Sequence, residues 1–113
     1  MTVFNDNKPT IESAREIIEK YPDRVPVYIE KGDNKIKEQL KKNKYLVPKD
    51  ITMGQFMYVI RKQLKIRPED AIFIFCNNTI IPTSEILSEV YDNYKDKETE
   101  FLMMKYYKEG VFG

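Results

Sequence analysis

Thr52-Met53-Gly54-Gln55 places a hydroxyl where a helix can be capped and an amide three residues later, and the residues that follow set Met53, Phe56, Val59, Ile60 and Leu64 on one face. One long amphipathic helix is predicted there. On either side the pattern shortens to that of strands. Before the helix, Val25-Pro26-Val27-Tyr28-Ile29-Glu30 and Lys44-Tyr45-Leu46-Val47-Pro48 are rich in β-branched and aromatic residues, and Gly32-Asp33-Asn34 between them are turn formers. After it, Ile72 to Cys76 is a continuous apolar strand, Asn77-Asn78 a tight turn, and Thr79-Ile80-Ile81 a short extended return.

Two further helices and a last strand complete the pattern. Ile11, Ala14, Ile17 and Ile18 recur at helical steps between Lys8-Pro9-Thr10 and Pro22. Ser84 is the expected cap of a helix carrying Ile86, Leu87, Val90, Tyr91 and Tyr94, and Phe101 to Tyr107 reads as the final strand. Residues 32 to 43 read as a polar connection. The order is therefore helix, strand, strand, long helix, strand, short strand, helix, strand. It predicts an α+β fold of the β-grasp, ubiquitin-like kind with an additional N-terminal helix, and a ferredoxin-like sandwich is the nearest rival.

With 113 residues, 42% hydrophobic and 33% charged, no repeat and no linker, the chain is expected to be one domain over residues 1–113. Residues 1–22 form its N-terminal helical extension and 108–113 a flexible tail. Histidine is absent, which removes Ser/His/Asp and Cys/His nucleophilic sites, histidine proton shuttles and nearly every zinc arrangement. An enzyme is not expected. The one cysteine, Cys76, falls inside an apolar run and reads as a buried, inert thiol of a reducing compartment.

Net charge is +1, yet residues 31 to 67 hold eleven basic groups against three acidic ones, a local balance of +8, and the remainder stands at −7. One face should therefore favour acidic partners. Charge alone does not choose among peptide, phospholipid and nucleic acid.

Several motifs occur together: Lys20-Tyr21-Pro22-Asp23-Arg24-Val25-Pro26-Val27, Lys44 to Pro48, Gly54-Gln55-Phe56, Ile60-Arg61-Lys62, Pro82-Thr83-Ser84 and a terminal aromatic-Gly. From about Lys20 to Gly113 the chain resembles the autophagy ubiquitin-like modifiers of the GABARAP and microtubule-associated light-chain type. The resemblance implies conjugation through Gly113 to phosphatidylethanolamine, after action by a processing cysteine protease and by activating and conjugating enzymes. It also implies cytoplasmic residence, with autophagosome and cytoplasmic vesicle membranes reached through the covalent lipid. No cofactor, metal or nucleic-acid partner is implied. Conjugation to a protein lysine, or a non-conjugated adaptor in vesicle traffic, are the alternatives.

Family members of this kind read aromatic-x-x-aliphatic peptides of cargo receptors and adaptors. By similarity the aromatic anchor would meet Ile17, Pro26, Tyr28, Lys44, Leu46 and Phe101, the aliphatic one Tyr45, Val47, Ile51, Phe56, Val59 and Ile60, and acidic flanks Arg24, Lys42 and Lys44. Alternation along a strand sets Lys44 and Leu46 on one side and Tyr45 and Val47 on the other. If Lys44 to Pro48 is an open edge, its free N–H and C=O groups can pair with a visiting strand. A segment of the chain lying over Tyr45 would contradict that picture. Leu46 and Lys44, on the outer face of such an edge, are expected to contribute little to the core. Three departures from the family are visible: a shorter segment before Lys20, Gln63 in the basic run after Ile60, and Ser13 where an acidic residue is common.

Overall fold

A computed structural model describes the backbone of Thr2–Val3 and residues 8–109. Its elements run β1 (Thr2–Val3), α1 (Ile11–Lys20), β2 (Arg24–Lys31), β3 (Lys44–Pro48), α2 (Met53–Leu64), β4 (Ile72–Cys76), β5 (Thr79–Ile80), α3 (Leu87–Tyr94) and β6 (Leu102–Lys108). The strands form one mixed sheet in the order β1-β3-β2-β6-β4-β5, in which β2 and β6 are parallel and the other pairs antiparallel. Two hairpins thus flank a parallel centre. The long helix crosses between them, which is the β-grasp arrangement.

Local chemistry accounts for the elements. Thr52 accepts from the Gln55 N–H at 3.1 Å while the Gln55 side chain accepts from the Thr52 N–H at 2.9 Å, so two otherwise orphaned donors at the start of α2 are satisfied. Met53, Phe56, Ile60 and Leu64 then point into the core, and Val59 is half-buried. At the β4–β5 turn both Asn77 and Asn78 have positive φ, 52° and 60°, as a two-residue hairpin with the right twist requires. Thr10 caps α1 through the Ser13 N–H at 3.1 Å.

The main core joins the inner sheet face to α2 and α3 through Val27, Ile29, Tyr45, Val47, Phe56, Ile60, Ile74, Leu87, Leu102 and Tyr106, among others. A second cluster on the opposite face holds α1 to the sheet through Ala14, Ile17, Leu46 and Phe101. The sheet is therefore covered on both sides along β3.

Five sequence expectations need correction. The strand Lys44–Pro48 is not an open edge, because β1 pairs with it, Thr2 opposite Leu46 and Val3 opposite Tyr45. Ser84 does not cap α3: it lies in a turn closed by Glu85 N–H to Pro82 C=O at 3.1 Å, and the helix begins at Leu87 after an extended Ile86, with Met53 N–H to Glu85 C=O at 2.8 Å and Leu87 N–H to Ile51 C=O at 2.9 Å tying this stretch to the start of α2. The 32–43 connection is not merely polar, since Ile36 and Leu40 are buried in the main core. Ile18, counted with the apolar side of α1, is exposed. Burial along β4 alternates, with Phe73 and Phe75 half-exposed on the outer face.

Candidate functional site

The backbone of β3 decides what its edge can offer. Pro26 stands opposite Leu46 and Arg24 opposite Pro48, and a proline has no N–H to exchange across a ladder. These are therefore the non-hydrogen-bonded pairs. The adjacent parity carries the bonds, as the Ile29 N–H to Asn43 C=O contact at 2.9 Å and the Lys49 N–H to Asp23 C=O contact at 3.0 Å show. It follows that the Leu46 N–H and C=O point away from β2, to the outer side of the strand. The Arg24 guanidinium reaches the same carbonyl, Nη1 donating to Leu46 O at 3.3 Å.

Side chains of β3 divide between two apolar clusters. Leu46 packs with Ile17 and Phe101, Tyr28 lies against that cluster, and the Lys44 ammonium stands 5.3 Å from the centre of the Phe101 ring. Lys44 Nζ also donates to Ser13 Oγ at 3.5 Å, so the serine that departs from the family pattern faces the buried ammonium. On the inner side Tyr45 meets the Phe56 ring edge-on, centroids 6.3 Å apart, and Val47 and Ile60 are in the same core, with Ile51 packed against it. Pro26 is buried beneath Leu46's neighbourhood in β2, Val59 is half-buried, Arg24 is half-buried and Lys42 is exposed.

The predicted sets are thus largely brought together, one on each face of β3; Val59 is not among the residues packed on the inner cluster. They are packed, not hollow: Ile17 and Leu46 are 1% exposed, and Phe56, Ile60 and Phe101 are fully covered. A peptide anchor would enter only as these side chains rearrange. The expectation that Leu46 and Lys44 lie on a lightly packed outer face is overturned, because α1 covers them.

Two concave regions lie elsewhere and escaped sequence reasoning. One, of about 460 Å³, lies between Glu30, Phe75, Asn77, Met103 and Tyr107 on the outer sheet face. Its only sequence signal was the alternation hidden in the apolar run of β4. The other, of about 350 Å³, is formed by Tyr58, Arg61, Lys62, Lys65, Ile66 and Pro68 at the end of α2, where the basic run had marked the place. Cys76 is buried and its thiol is pushed up to about 12 by desolvation, so it is poorly nucleophilic. Among the described residues no three His, Cys, Asp or Glu side chains gather in a metal-binding group, and no helix is long and apolar enough to cross a membrane.

The end of β6 fixes where the last residues depart. Lys108 Nζ donates to Glu38 Oε2 at 2.7 Å and lies 3.6 Å from Asp70, while the Tyr106 hydroxyl donates to Glu38 C=O at 3.0 Å. Lys108 therefore belongs to the sheet, and Glu109 N–H still donates to Ala71 C=O at 2.9 Å. Gly113 lies outside the described residues.

Comparison with known proteins decides the family. The profile described as "Autophagy protein Atg8 ubiquitin like" matches residues 10–113. The chain belongs to the Atg8 family. Autophagy-related protein 8A of Oryza sativa subsp. indica is 52% identical over 102 residues, covering 90% of this chain and 84% of the relative. Autophagy-related protein 8a of Arabidopsis thaliana is 50% identical over 111 residues, covering 98% and 90%. Among solved structures, Trypanosoma brucei ATG8 superposes with a TM-score of 0.82 at 40% identity, covering 90% of this chain and 87% of that one. Plasmodium falciparum Atg8 in complex with a P. falciparum Atg3 peptide does so with 0.75 at 28%, covering 86% and 85%. This Atg8-family chain is thus a ubiquitin-like autophagy protein, and its grasp fold agrees with those neighbours.

Proposed function

We propose that this protein is a modifier joined through the Gly113 carboxyl to the amine of phosphatidylethanolamine, and that on the membrane it receives aromatic-x-x-aliphatic peptides along β3. It moves from the cytoplasm to autophagosome and cytoplasmic vesicle membranes on lipidation. Its carboxylate is first converted to an acyl-adenylate with loss of pyrophosphate from ATP, then captured by an enzyme cysteine with release of AMP and passed as a thioester between enzyme cysteines. Attack by the lipid amine forms an amide and releases the thiol. Gly113 is the group that reacts and not a catalyst; lacking Cβ, it suits narrow enzyme sites.

The observation that carries the peptide reading is the Leu46 backbone, turned to the outer side of β3 between two apolar clusters, where the two-residue β1 now lies, with Arg24 on its carbonyl and Lys42 exposed; Lys44, expected to meet acidic flanks, is buried under α1. Main-chain groups would pair with the visitor, the clusters would select two of its side chains, and the basic rim would favour acidic flanks. The complex of the P. falciparum relative with an Atg3 peptide supports peptide uptake by this fold.

Incubation with the family's activating and conjugating enzymes, ATP and phosphatidylethanolamine liposomes tests the conjugation. A lipid adduct is expected, and Gly113→Ala should abolish or severely impair it. An adduct on a protein lysine, or none at all, would overturn the lipid assignment.

A further inference from the structure

We propose that Thr2–Val3 act as an intramolecular competitor for the β3 edge, closing the peptide-pairing site until the strand leaves. This rests on the peptide reading given above. Thr2 stands opposite Leu46 and Val3 opposite Tyr45, the two residues at the junction of the apolar clusters. The Leu46 N–H carries one hydrogen, and the register against β2, with Pro26 opposite Leu46, points it outward. Whichever strand lies on that side takes it. A carbonyl has a second lone pair, which is why the Arg24 contact to Leu46 O is compatible with either occupant.

The cover is local and short. It spans two residues, against five in the β2–β3 ladder, so it can be displaced without opening the sheet centre. Its attachment keeps it near. Only residues 4–9 separate Val3 from the Thr10 cap of α1, so the competition is intramolecular and an external peptide works against an effective concentration rather than a free one. An external peptide therefore binds with its intrinsic affinity reduced by the fraction of molecules in which the edge is free. Because the pairing is made by main-chain groups, the device works through N–H donors and carbonyls rather than through one side chain.

The full chain carrying Thr2→Pro and Val3→Pro removes the Thr2 N–H, the β1 donor that faces Leu46, and fixes φ at both residues of β1, without shortening the protein. Calorimetric titration with a synthetic aromatic-x-x-aliphatic peptide flanked by glutamates should show binding roughly three- to tenfold tighter than the parent, as expected if a tenth to a third of parent molecules have a free edge. Hydrogen exchange of the Leu46 amide should accelerate in the same variant without peptide. An unchanged melting temperature verifies that the fold is retained, and a chain beginning at Lys8 serves as a second variant with the same expectation. Equal or weaker peptide affinity with unaltered Leu46 exchange overturns the inference. Faster Leu46 exchange with no peptide uptake by any of the proteins overturns the peptide reading instead, and leaves the cover of the edge standing.

Discussion

Leu46→Ala separates a binding residue from a structural one by magnitude. Leu46 is 1% exposed and packs with Ala14, Ile17 and Phe101, the cluster that fastens α1 to the sheet. Truncating a leucine in such a site removes its transfer energy and leaves a space that α1 can only partly close, a loss of about 3 kcal/mol. Unfolding entropy near 2.1 cal/mol/K per residue amounts to ~0.24 kcal/mol/K for this chain, so the melting midpoint should fall by about 12 °C. The same change empties one wall of the expected aromatic pocket and should weaken peptide binding by about 1 to 3 kcal/mol, or roughly five- to 150-fold. Scanning calorimetry gives the first number, and titration well below the transition gives the second. A midpoint shift under about 3 °C would refute the packing argument, because Leu46 would then behave as an outer-face residue. A large shift with parent affinity, measured on folded protein, would remove Leu46 from the peptide site.

Two more perturbations probe how the sheet is framed. Gly32→Ala should destabilise by about 1 to 3 kcal/mol in urea titration, because a Cβ at Gly32 meets the Tyr107 ring, which is itself held edge-on by Phe75; a neutral result would mean that the ring swings aside freely. Glu38→Gln addresses the tie at the end of β6. The Lys108 hydrogen bond holds the Glu38 carboxyl below its ordinary value, so its contribution is complete above the unfolded carboxylate value and is lost as pH falls through the lower folded one. As pH falls below the ordinary carboxylate range the parent should lose stability more steeply than Glu38→Gln, and parallel acid limbs would discount this pair.

The legible part of the fold was the part governed by local chemistry. The α2 capping box, the Asn77-Asn78 turn and the bounds of β3 and β4 are short-range effects of hydroxyl, amide and β-branched residues, and the structure places each where its residues imply. The errors arose where distant segments supplied the partner. Ser84 has the chemistry of a cap, yet it sits in a turn, and the bonds from Met53 and Leu87 and the Thr52–Ile86 bridge tie the residues after it to the start of α2, so the helix starts later. Ile36 and Leu40 lack strand or helix periodicity because they are pinned from a loop, with the Tyr106 hydroxyl bound to Glu38 C=O beside them. Grouping of the candidate site residues came through family likeness; alternation along β3 alone separated Lys44 and Leu46 from Tyr45 and Val47. What alternation could not reveal is that both faces of β3 are filled and that two residues from the far N-terminal end lie along its edge.

That packing has a consequence for how affinity can be adjusted in a protein of this shape. Tyr45, Val47, Phe56 and Ile60 are wall and core at once, as are Ile17, Leu46 and Phe101, so most changes to the apolar selectors are felt by the fold before they are felt by a ligand. The rim is less constrained. Lys42 is exposed and Arg24 half-buried, and charge changes there act chiefly on association rate and its salt dependence. The outer edge of β3 is bordered only by the two residues of β1, whose departure, as proposed above, would leave either cluster's own strands in place. Discrimination among partners should therefore concentrate in the basic rim and in the availability of the Leu46 backbone, while the two apolar clusters set a common requirement that every ligand has to meet.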